Sequence, residues 1–257
     1  MLAHQLAGHG TPFLLLHAFP FSSAMWEEDL EWLEKRCHVV VPDLPGFGRS
    51  PRQLHPSIPA MAREVALLLD ELGMKQPVIV GGLSMGGYVV FEFLRQFPER
   101  VRALALFSTR AAADTPEART KRMKTAQEIQ EKGLEGFAKA MLPNLVGKTT
   151  LHTRPDLVHR ISEMIRAQEP GGVAAALLAM ADRRDSTELL SSVHCPTRVI
   201  AGEEDLFIPV DQAQAMQEQI PGSRLTILPK AGHLVNLEQP ISFQQAVQEL
   251  MTEVDGL

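Results

Sequence analysis

The sequence predicts an α/β protein built on a mostly parallel sheet. Short apolar segments recur along the chain, with helical segments between them. The apolar segments are rich in β-branched residues, are bounded by Gly or Pro, and do not alternate with polar residues, which is typical of strands covered on both faces. Alternation of strand and helix favours parallel pairing with right-handed crossovers. The predicted strands are 13–17, 38–44, 77–83, 101–108, 197–205 and 224–231.

Three segments have the apolar spacing of helices that belong with these strands. They are residues 60–73 and 88–100, each ending at a Gly or Pro, and a closing helix at 242–251. We therefore expect helices on both faces of the sheet.

Residues 110–190 break the alternation of strand and helix. They are rich in Ala, Met, Arg and Glu and contain no clear strand, which favours a helical cap over one edge of the sheet. We predict an α/β core formed by residues 1–109 and 191–257, with the cap at 110–190. The predicted cap helices are 117–132, 134–141, 155–168 and 172–181.

Composition argues against several classes of function. The 257 residues are 45% apolar and 22% charged, which suits one α/β domain with a large core. A net charge of −6 argues against nucleic-acid binding, since that needs a basic face. No segment approaches the roughly 20 apolar residues of a membrane span, and the first ten residues lack the features of a signal peptide. With only Cys37 and Cys195, and no disulfide framework, we expect a cytoplasmic protein.

The segment Gly82-Leu83-Ser84-Met85-Gly86 follows an apolar strand and opens a helix, as a nucleophile elbow does. To expose its Oγ, Ser84 must adopt a strained bend that costs about 1–3 kcal/mol. Side chains at positions 82 and 86 would collide across that bend, so glycine is needed at both. The alternative is an ordinary strand-to-helix turn that contains a serine.

A serine hydroxyl needs a base, and the base needs an acid to orient it. Asp205 ends one predicted strand, and His233 directly follows the next. Because parallel strands carry their sites at their carboxyl ends, we expect both residues on the same edge as Ser84. Glu203 and Glu204 precede Asp205, so the sequence leaves open which carboxylate faces His233. No pair of residues has zinc-ligand spacing, and neither a metal nor a cofactor is expected.

A tetrahedral oxyanion needs backbone N–H donors. We expect one donor from Met85, which follows the serine at the start of a helix. The second is expected from the loop at 16–21, with Phe19 as the best candidate. The alternative is a loop without a catalytic role.

Five motifs resemble those of the α/β-hydrolase family, in the family's order and over nearly the whole chain. The resemblance implies an α/β-hydrolase fold, and it is closest to small serine esterases and enzymes like 3-oxoadipate enol-lactonase. The motifs are H-A-F-P at 17–20, D-L-P-G-F-G-R-S at 43–50, G-L-S-M-G-G at 82–87, G-E-E-D-L-F-I-P at 202–209 and A-G-H at 231–233.

The chain also departs from the family pattern. Ala18 replaces the usual glycine of the oxyanion loop, and the family's first strand is expected to be short or missing. We interpret Asp43 and Arg49 as structural, with a direct substrate contact as the alternative. Serine at position 84 excludes the dehalogenase and epoxide hydrolase branches, which have aspartate there.

Four residues are predicted to bind substrate. Met141, Phe207 and Leu234 are apolar candidates for an acyl pocket, although apolar residues at helical spacing also form core. Arg110 follows a predicted strand and is placed to meet a substrate carboxylate. The alternative for Arg110 is an ion pair with an acidic cap residue such as Asp114.

These inferences predict a serine hydrolase that cleaves a carboxylic ester or lactone through an acyl-enzyme on Ser84. The expected partner is a small-molecule substrate, with no nucleic acid and no membrane, and the sequence does not indicate an oligomeric state. Two alternatives use the same residues: hydrolysis of a carbon–carbon bond, and perhydrolysis. A further alternative is a ligand-binding or receptor protein without turnover.

Overall fold

A computed structural model describes residues 1–53 and 55–256, and its centre is one seven-stranded sheet. The strand order is β1-β3-β2-β4-β5-β6-β7; β1 pairs antiparallel with β3, and the other neighbouring pairs are parallel. The strands are β1 (His4–Ala7), β2 (Pro12–Leu16), β3 (His38–Pro42), β4 (Val78–Leu83), β5 (Val101–Phe107), β6 (Thr197–Gly202) and β7 (Arg224–Leu228).

The mostly parallel sheet predicted from the sequence is confirmed. The short edge strand β1 was not among the predicted strands, because its four residues include the polar His4 and Gln5 and form no apolar run. Three predicted strands extend two or more residues too far: β3 ends at Pro42, β6 at Gly202 and β7 at Leu228. The residues beyond the ends of β6 and β7 form the loops that carry Asp205 and His233.

Helices cover both faces of the sheet, and each face has its own apolar core. Successive residues of β2 alternate between them: Leu14 joins one core, and Leu15 the other. The first core also contains Val65 and Val89 from the helices on its face, and the second contains Leu250. The helices outside the cap segment are α1 (Glu27–Leu33), α2 (Ile58–Glu71), α3 (Met85–Gln96), α9 (Val210–Gln219), α10 (Val235–Glu238) and α11 (Pro240–Asp255).

Five α-helices lie between β5 and β6, in the segment predicted to be a cap, and all residues of this segment are described. We retain the division into core and cap as a proposal and call these the cap helices. The six-residue α6 was not predicted, because it is too short to show a periodic pattern. The cap helices are α4 (Pro116–Lys132), α5 (Glu135–Leu145), α6 (Lys148–Thr153), α7 (Pro155–Arg166) and α8 (Pro170–Ala181). Within the described residues, no helix is both long and apolar enough to cross a membrane.

Candidate active site

Ser84 occupies a strained turn between β4 and α3. Its φ of 54° and ψ of −110° lie outside the regions that residues with side chains favour. Two hydrogen bonds hold the turn: the Ser84 N–H donates to Phe107 O (2.9 Å), and Thr109 Oγ1 donates to Ser84 O (2.9 Å). The end of β5 and the residues directly after it therefore fix the serine backbone on both sides.

The glycines around Ser84 are sites of close backbone approach. A Cβ on Gly82 would overlap Gly86 and come within 2.7 Å of the Gly87 nitrogen. A Cβ on Gly86 would lie 2.5 Å from Leu16 O. Real Cβ atoms do not approach backbone so closely, so the turn requires glycine at both positions, as the sequence predicts.

Asp205 and His233 form a buried pair at the ends of β6 and β7. Asp205 Oδ2 lies 2.7 Å from His233 Nδ1. The other carboxylate oxygen accepts hydrogen bonds from the N–H groups of Phe207 (2.8 Å) and Ile208 (2.9 Å). With an ionised carboxylate as acceptor, the imidazole carries its proton on Nδ1, which leaves Nε2 with a lone pair.

The structure distinguishes the three consecutive carboxylates that the sequence left open. Asp205 contacts His233, whereas Glu203 accepts a hydrogen bond from the Lys230 N–H (3.1 Å). Glu204 turns toward the cap and accepts from both the N–H (2.8 Å) and the hydroxyl (2.7 Å) of Thr149. Of the three, only Asp205 has the geometry to orient an imidazole.

The loop at 17–21 is held rigidly beneath the site by His17. The Leu44 N–H donates to His17 Nε2 (2.9 Å), so Nδ1 carries the proton and donates to Ala18 O (2.9 Å). Burial lowers the pKa of His17 to about 4, which keeps the ring neutral at neutral pH. Phe19 lines the cavity beside Ser84, and Met85 is the first residue of α3, with its side chain buried. Met85 thus directly follows the serine, and Phe19 lies at the same cavity.

A cavity of about 610 Å³ lies between the strand ends and the cap helices, and Ser84 and His233 line it. Three of the four residues predicted to bind substrate also line it: Arg110, Met141 and Phe207. The Phe207 ring packs edge-on against His233, with their centroids 5.5 Å apart.

The structure does not bring Leu234 to this cavity. Its side chain is fully buried in the core, because α10 begins directly after it and turns it away from the site. The lining also includes residues that sequence reasoning missed, mostly on one face of α4. Their spacing of three or four residues was the available signal. They include Lys121, Arg122, Thr125, Glu128, Ile129 and Lys132 from α4, Phe137 from α5 and Tyr88 from α3.

The cavity wall is positively charged, although the protein as a whole is negative. Its charged side chains other than histidine are the four cations Arg110, Lys121, Arg122 and Lys132 and the one carboxylate Glu128.

Two of these cations share one buried carboxylate. Asp114 pairs with Arg110 (2.7 Å), Arg122 (2.5 Å) and Arg183 (2.8 Å). Burial alone would raise the pKa of Asp114, but the bonds and charges of Arg122 and Arg183 hold it below its usual value. Three guanidiniums around one carboxylate leave an excess of positive charge. Within the described chain, the buried Nε of Arg110 has no hydrogen-bond partner.

Comparison with known proteins agrees with this architecture. A profile of the alpha/beta hydrolase fold family matches residues 11–240. The chain belongs to this family. Both the expected fold and the family resemblance are therefore confirmed.

Relatives of this α/β hydrolase include an esterase and an enol-lactonase. A thermophilic esterase from Thermogutta terrifontis, solved with malate bound, is 40% identical with a TM-score of 0.96, over 98% of this chain and 93% of that one. The 3-oxoadipate enol-lactonase 2 of Acinetobacter baylyi is 29% identical over 89% of this chain and 84% of its own length. An enol-lactonase from Burkholderia xenovorans, 24% identical, has the same fold, with a TM-score of 0.89 over 98% of this chain and 96% of that one.

Proposed function

We propose that this α/β hydrolase cleaves a carboxylic ester or lactone through an acyl-enzyme on Ser84. The observation that carries the proposal is the 2.7 Å pair of Asp205 Oδ2 and His233 Nδ1, at the cavity that Ser84 also lines. A strained serine, an oriented imidazole and a shared cavity are the parts that acyl transfer requires.

In the first half of the reaction, His233 Nε2 takes the proton of Ser84 Oγ, and Oγ attacks the carbonyl carbon. The N–H groups of Met85 and Phe19 hold the resulting oxyanion. When this intermediate collapses, the C–O bond to the leaving alkoxide breaks, and His233 gives that oxygen its proton. In a lactone the leaving oxygen stays attached to the acyl group.

In the second half, His233 Nε2 takes a proton from water, and the hydroxide attacks the acyl carbon. Collapse releases the carboxylic acid and returns the proton to Ser84 Oγ. Asp205 stabilises the imidazolium in both halves. The hydrogen bonds of the described residues include none from Ser84 Oγ to His233, so we propose that this bond tightens when substrate binds.

We further propose that the substrate carries a negative charge. Arg110 lines the same cavity as Ser84, and its guanidinium is held by Asp114 (2.7 Å). Arg122 faces the same cavity and shares Asp114 with it. Guanidinium groups with unused N–H donors bind carboxylates strongly, and a cavity of one sign concentrates ligands of the other. The malate bound to the related esterase and the acidic substrate named for the related lactonase agree with this.

A panel of p-nitrophenyl esters, lactones and vinylogous diketones, assayed with and without peroxide, tests the function. We expect ester or lactone hydrolysis to be the fastest activity, and faster when the acyl group bears a carboxylate. Preferential cleavage of the diketones would contradict the proposal in favour of carbon–carbon hydrolysis, and turnover only with peroxide would favour perhydrolysis. A folded protein that binds these compounds without converting any of them would favour a binding protein.

A further inference from the structure

The cap segment 145–150 is bonded directly to the loop 231–234 that carries His233. The His233 N–H donates to Leu145 O (3.1 Å), at the end of α5. Gly147 and Gly232 face each other: a Cβ on Gly147 would lie 2.9 Å from the Gly232 nitrogen, and one on Gly232 would overlap Gly147. The two backbones therefore touch with no side chain between them.

Glu238 bridges the same two segments with its carboxylate. One oxygen, Oε2, accepts hydrogen bonds from the Gly147 N–H (2.8 Å) and the Thr150 hydroxyl (2.7 Å). The other, Oε1, accepts from the N–H of Leu234 (3.1 Å), the residue after His233. A single side chain thus holds the start of α6 against the loop of the predicted base.

Joining the cap segment to the His233 loop through the buried Glu238 carboxylate costs folding free energy. Glu238 is only 4% exposed, and the ion pairs found among the described residues include none for it. Burial raises its pKa, although the hydrogen bonds that it accepts oppose that rise. A buried charge balanced only by hydrogen bonds costs folding free energy that apolar contacts would not. Directional bonds do, however, fix position and orientation, which apolar contacts do less well.

The loop of the predicted acid is tied to the same helix. Glu204, directly before Asp205, accepts from the N–H and hydroxyl of Thr149, one residue before Thr150. The first turn of α6 therefore contacts the loops of both Asp205 and His233.

We propose that Glu238 is a positioning residue for His233, acting through loop 231–234 with cap segment 145–150 as its partner. It touches neither substrate nor reacting atoms. By bonding to Leu234 directly after His233 and by holding Gly147 against Gly232 directly before it, Glu238 sets the approach of Nε2 to Ser84 Oγ. The inference rests on the proposed function, since it concerns the geometry of proton transfer.

Kinetics of Glu238→Gln and Thr150→Val on p-nitrophenyl acetate test the proposal, with active sites counted by titration with a fluorophosphonate. We expect Glu238→Gln to lower kcat per titrated site about 10- to 100-fold, since a displacement of about 1 Å can cost that much. KM should change less than about two-fold, because the cavity contacts are untouched. Thr150→Val removes one donor and should give a smaller loss in kcat.

Two controls separate positioning from general damage. Thr150→Ser keeps the hydroxyl and should restore most of the activity that Thr150→Val loses. Thr153→Val removes an exposed hydroxyl of α6 whose one hydrogen bond among the described residues is to Thr149 O, and it should leave kcat unchanged. Circular dichroism and Tm establish that each variant is folded, and Thr150→Val still tests the proposal if Glu238→Gln does not fold.

The outcomes distinguish the two proposals. If the wild type is active while Glu238→Gln and Thr150→Val keep its kcat per titrated site, the positioning role is overturned and the proposed function stands. If total activity falls only in proportion to the number of titrated active sites, Glu238 stabilises the fold and does not position His233. A folded wild type that hydrolyses nothing and does not react with the fluorophosphonate would overturn both.

Discussion

The two walls of the cavity are built in different ways. The reactive wall, formed by Ser84, His233 and Phe19, consists of residues at strand ends whose positions are set by backbone hydrogen bonds and glycine contacts. The cap wall consists mainly of polar side chains of α4, most of them long, and three of these residues are exposed. The polar residues of α4 at this wall are Lys121, Arg122, Thr125, Glu128 and Lys132. We infer that the reactive wall, where substitutions are poorly tolerated, carries out the chemistry. The cap wall, where substitutions are better tolerated, determines substrate selectivity.

The substitution expected to have the largest effect on the reactive wall is Asp205→Asn. An amide in place of the carboxylate favours the wrong tautomer of His233, and in a triad of this kind the loss in kcat is about 10⁴-fold. Steady-state kinetics on an ester substrate measures it. Glu203→Gln is the matched control, since Glu203 bonds to the Lys230 N–H and should leave kcat close to the wild-type value. Equal losses in the two variants would contradict the assignment of the acid.

Gly82→Ala tests whether the close contacts serve the elbow. The new methyl group must displace backbone at Gly86, so we expect activity to fall about 100-fold or more. Overpacking should also cost about 1–3 kcal/mol of stability and still leave a folded protein. Activity and thermal unfolding are measured together.

The control for this change is on the cap wall. Gly136 of α5 lines the cavity, and no atom of the described residues lies within 4 Å of a Cβ built on it. Gly136→Ala should therefore raise Tm through helix propensity, worth up to about 1 kcal/mol. If Gly82→Ala loses its fold together with its activity, the glycine serves the fold more than the chemistry.

Arg122→Gln probes selectivity on the cap wall. Hydrogen bonds to charged groups contribute about 1.5–3 kcal/mol, so we expect kcat/KM for a carboxylate-bearing ester to fall roughly 10- to 100-fold. A neutral ester of the same shape should be affected much less, and added salt should lower the preference of the wild type. Asp114 keeps two arginine partners in this variant.

Arg119→Gln is the matched control, because Arg119 lies on α4 but pairs with Asp182 outside the cavity lining. It should leave the ratio of the two esters unchanged. If Arg122→Gln slows the two esters equally, its guanidinium supports the cap and does not select charge.

The last prediction concerns stability and not catalytic rate. Asp29 is buried against Asn236 of α10, and burial raises its pKa from 3.8 to about 7. The folded state therefore binds more protons than the unfolded state between those pH values, so stability contributed by the protonated acid is lost as pH rises through this window. Asp29→Asn should raise Tm at pH 8 but have little effect at pH 4.

We expect a gain of roughly 2–4 °C for each kcal/mol that ionisation costs. Glu31→Gln, an exposed change on the same helix α1, should show no such dependence on pH. A Tm gain for Asp29→Asn that is equal at both pH values would show that ionisation of Asp29 is not its cause.

Local sequence was sufficient to predict the elbow and the sheet. The glycines around Ser84 lie within a few residues of it, and their spacing follows from the turn itself. The order of strands and motifs then placed Asp205 and His233 on the same edge. The family comparisons support the same fold.

Tertiary packing decided what the sequence left open. Three carboxylates in succession differ only in how the chain turns after β6, and that turn directs Asp205 alone to His233. Leu234 follows the histidine in sequence, but α10 buries it. The charged face of α4 was missed because that helix is polar on several sides, and its packing against α8 determines which side meets the cavity.

The most direct test of the account is the intact mass of the protein after reaction with a fluorophosphonate. We expect one phosphonyl group on each wild-type chain, none on Ser84→Ala, and a much slower reaction of His233→Ala. Ser84→Ala should also fail to hydrolyse p-nitrophenyl esters while remaining folded. A folded wild type that stays unlabelled, or a Ser84→Ala variant that hydrolyses these esters as fast as the wild type, would contradict the account.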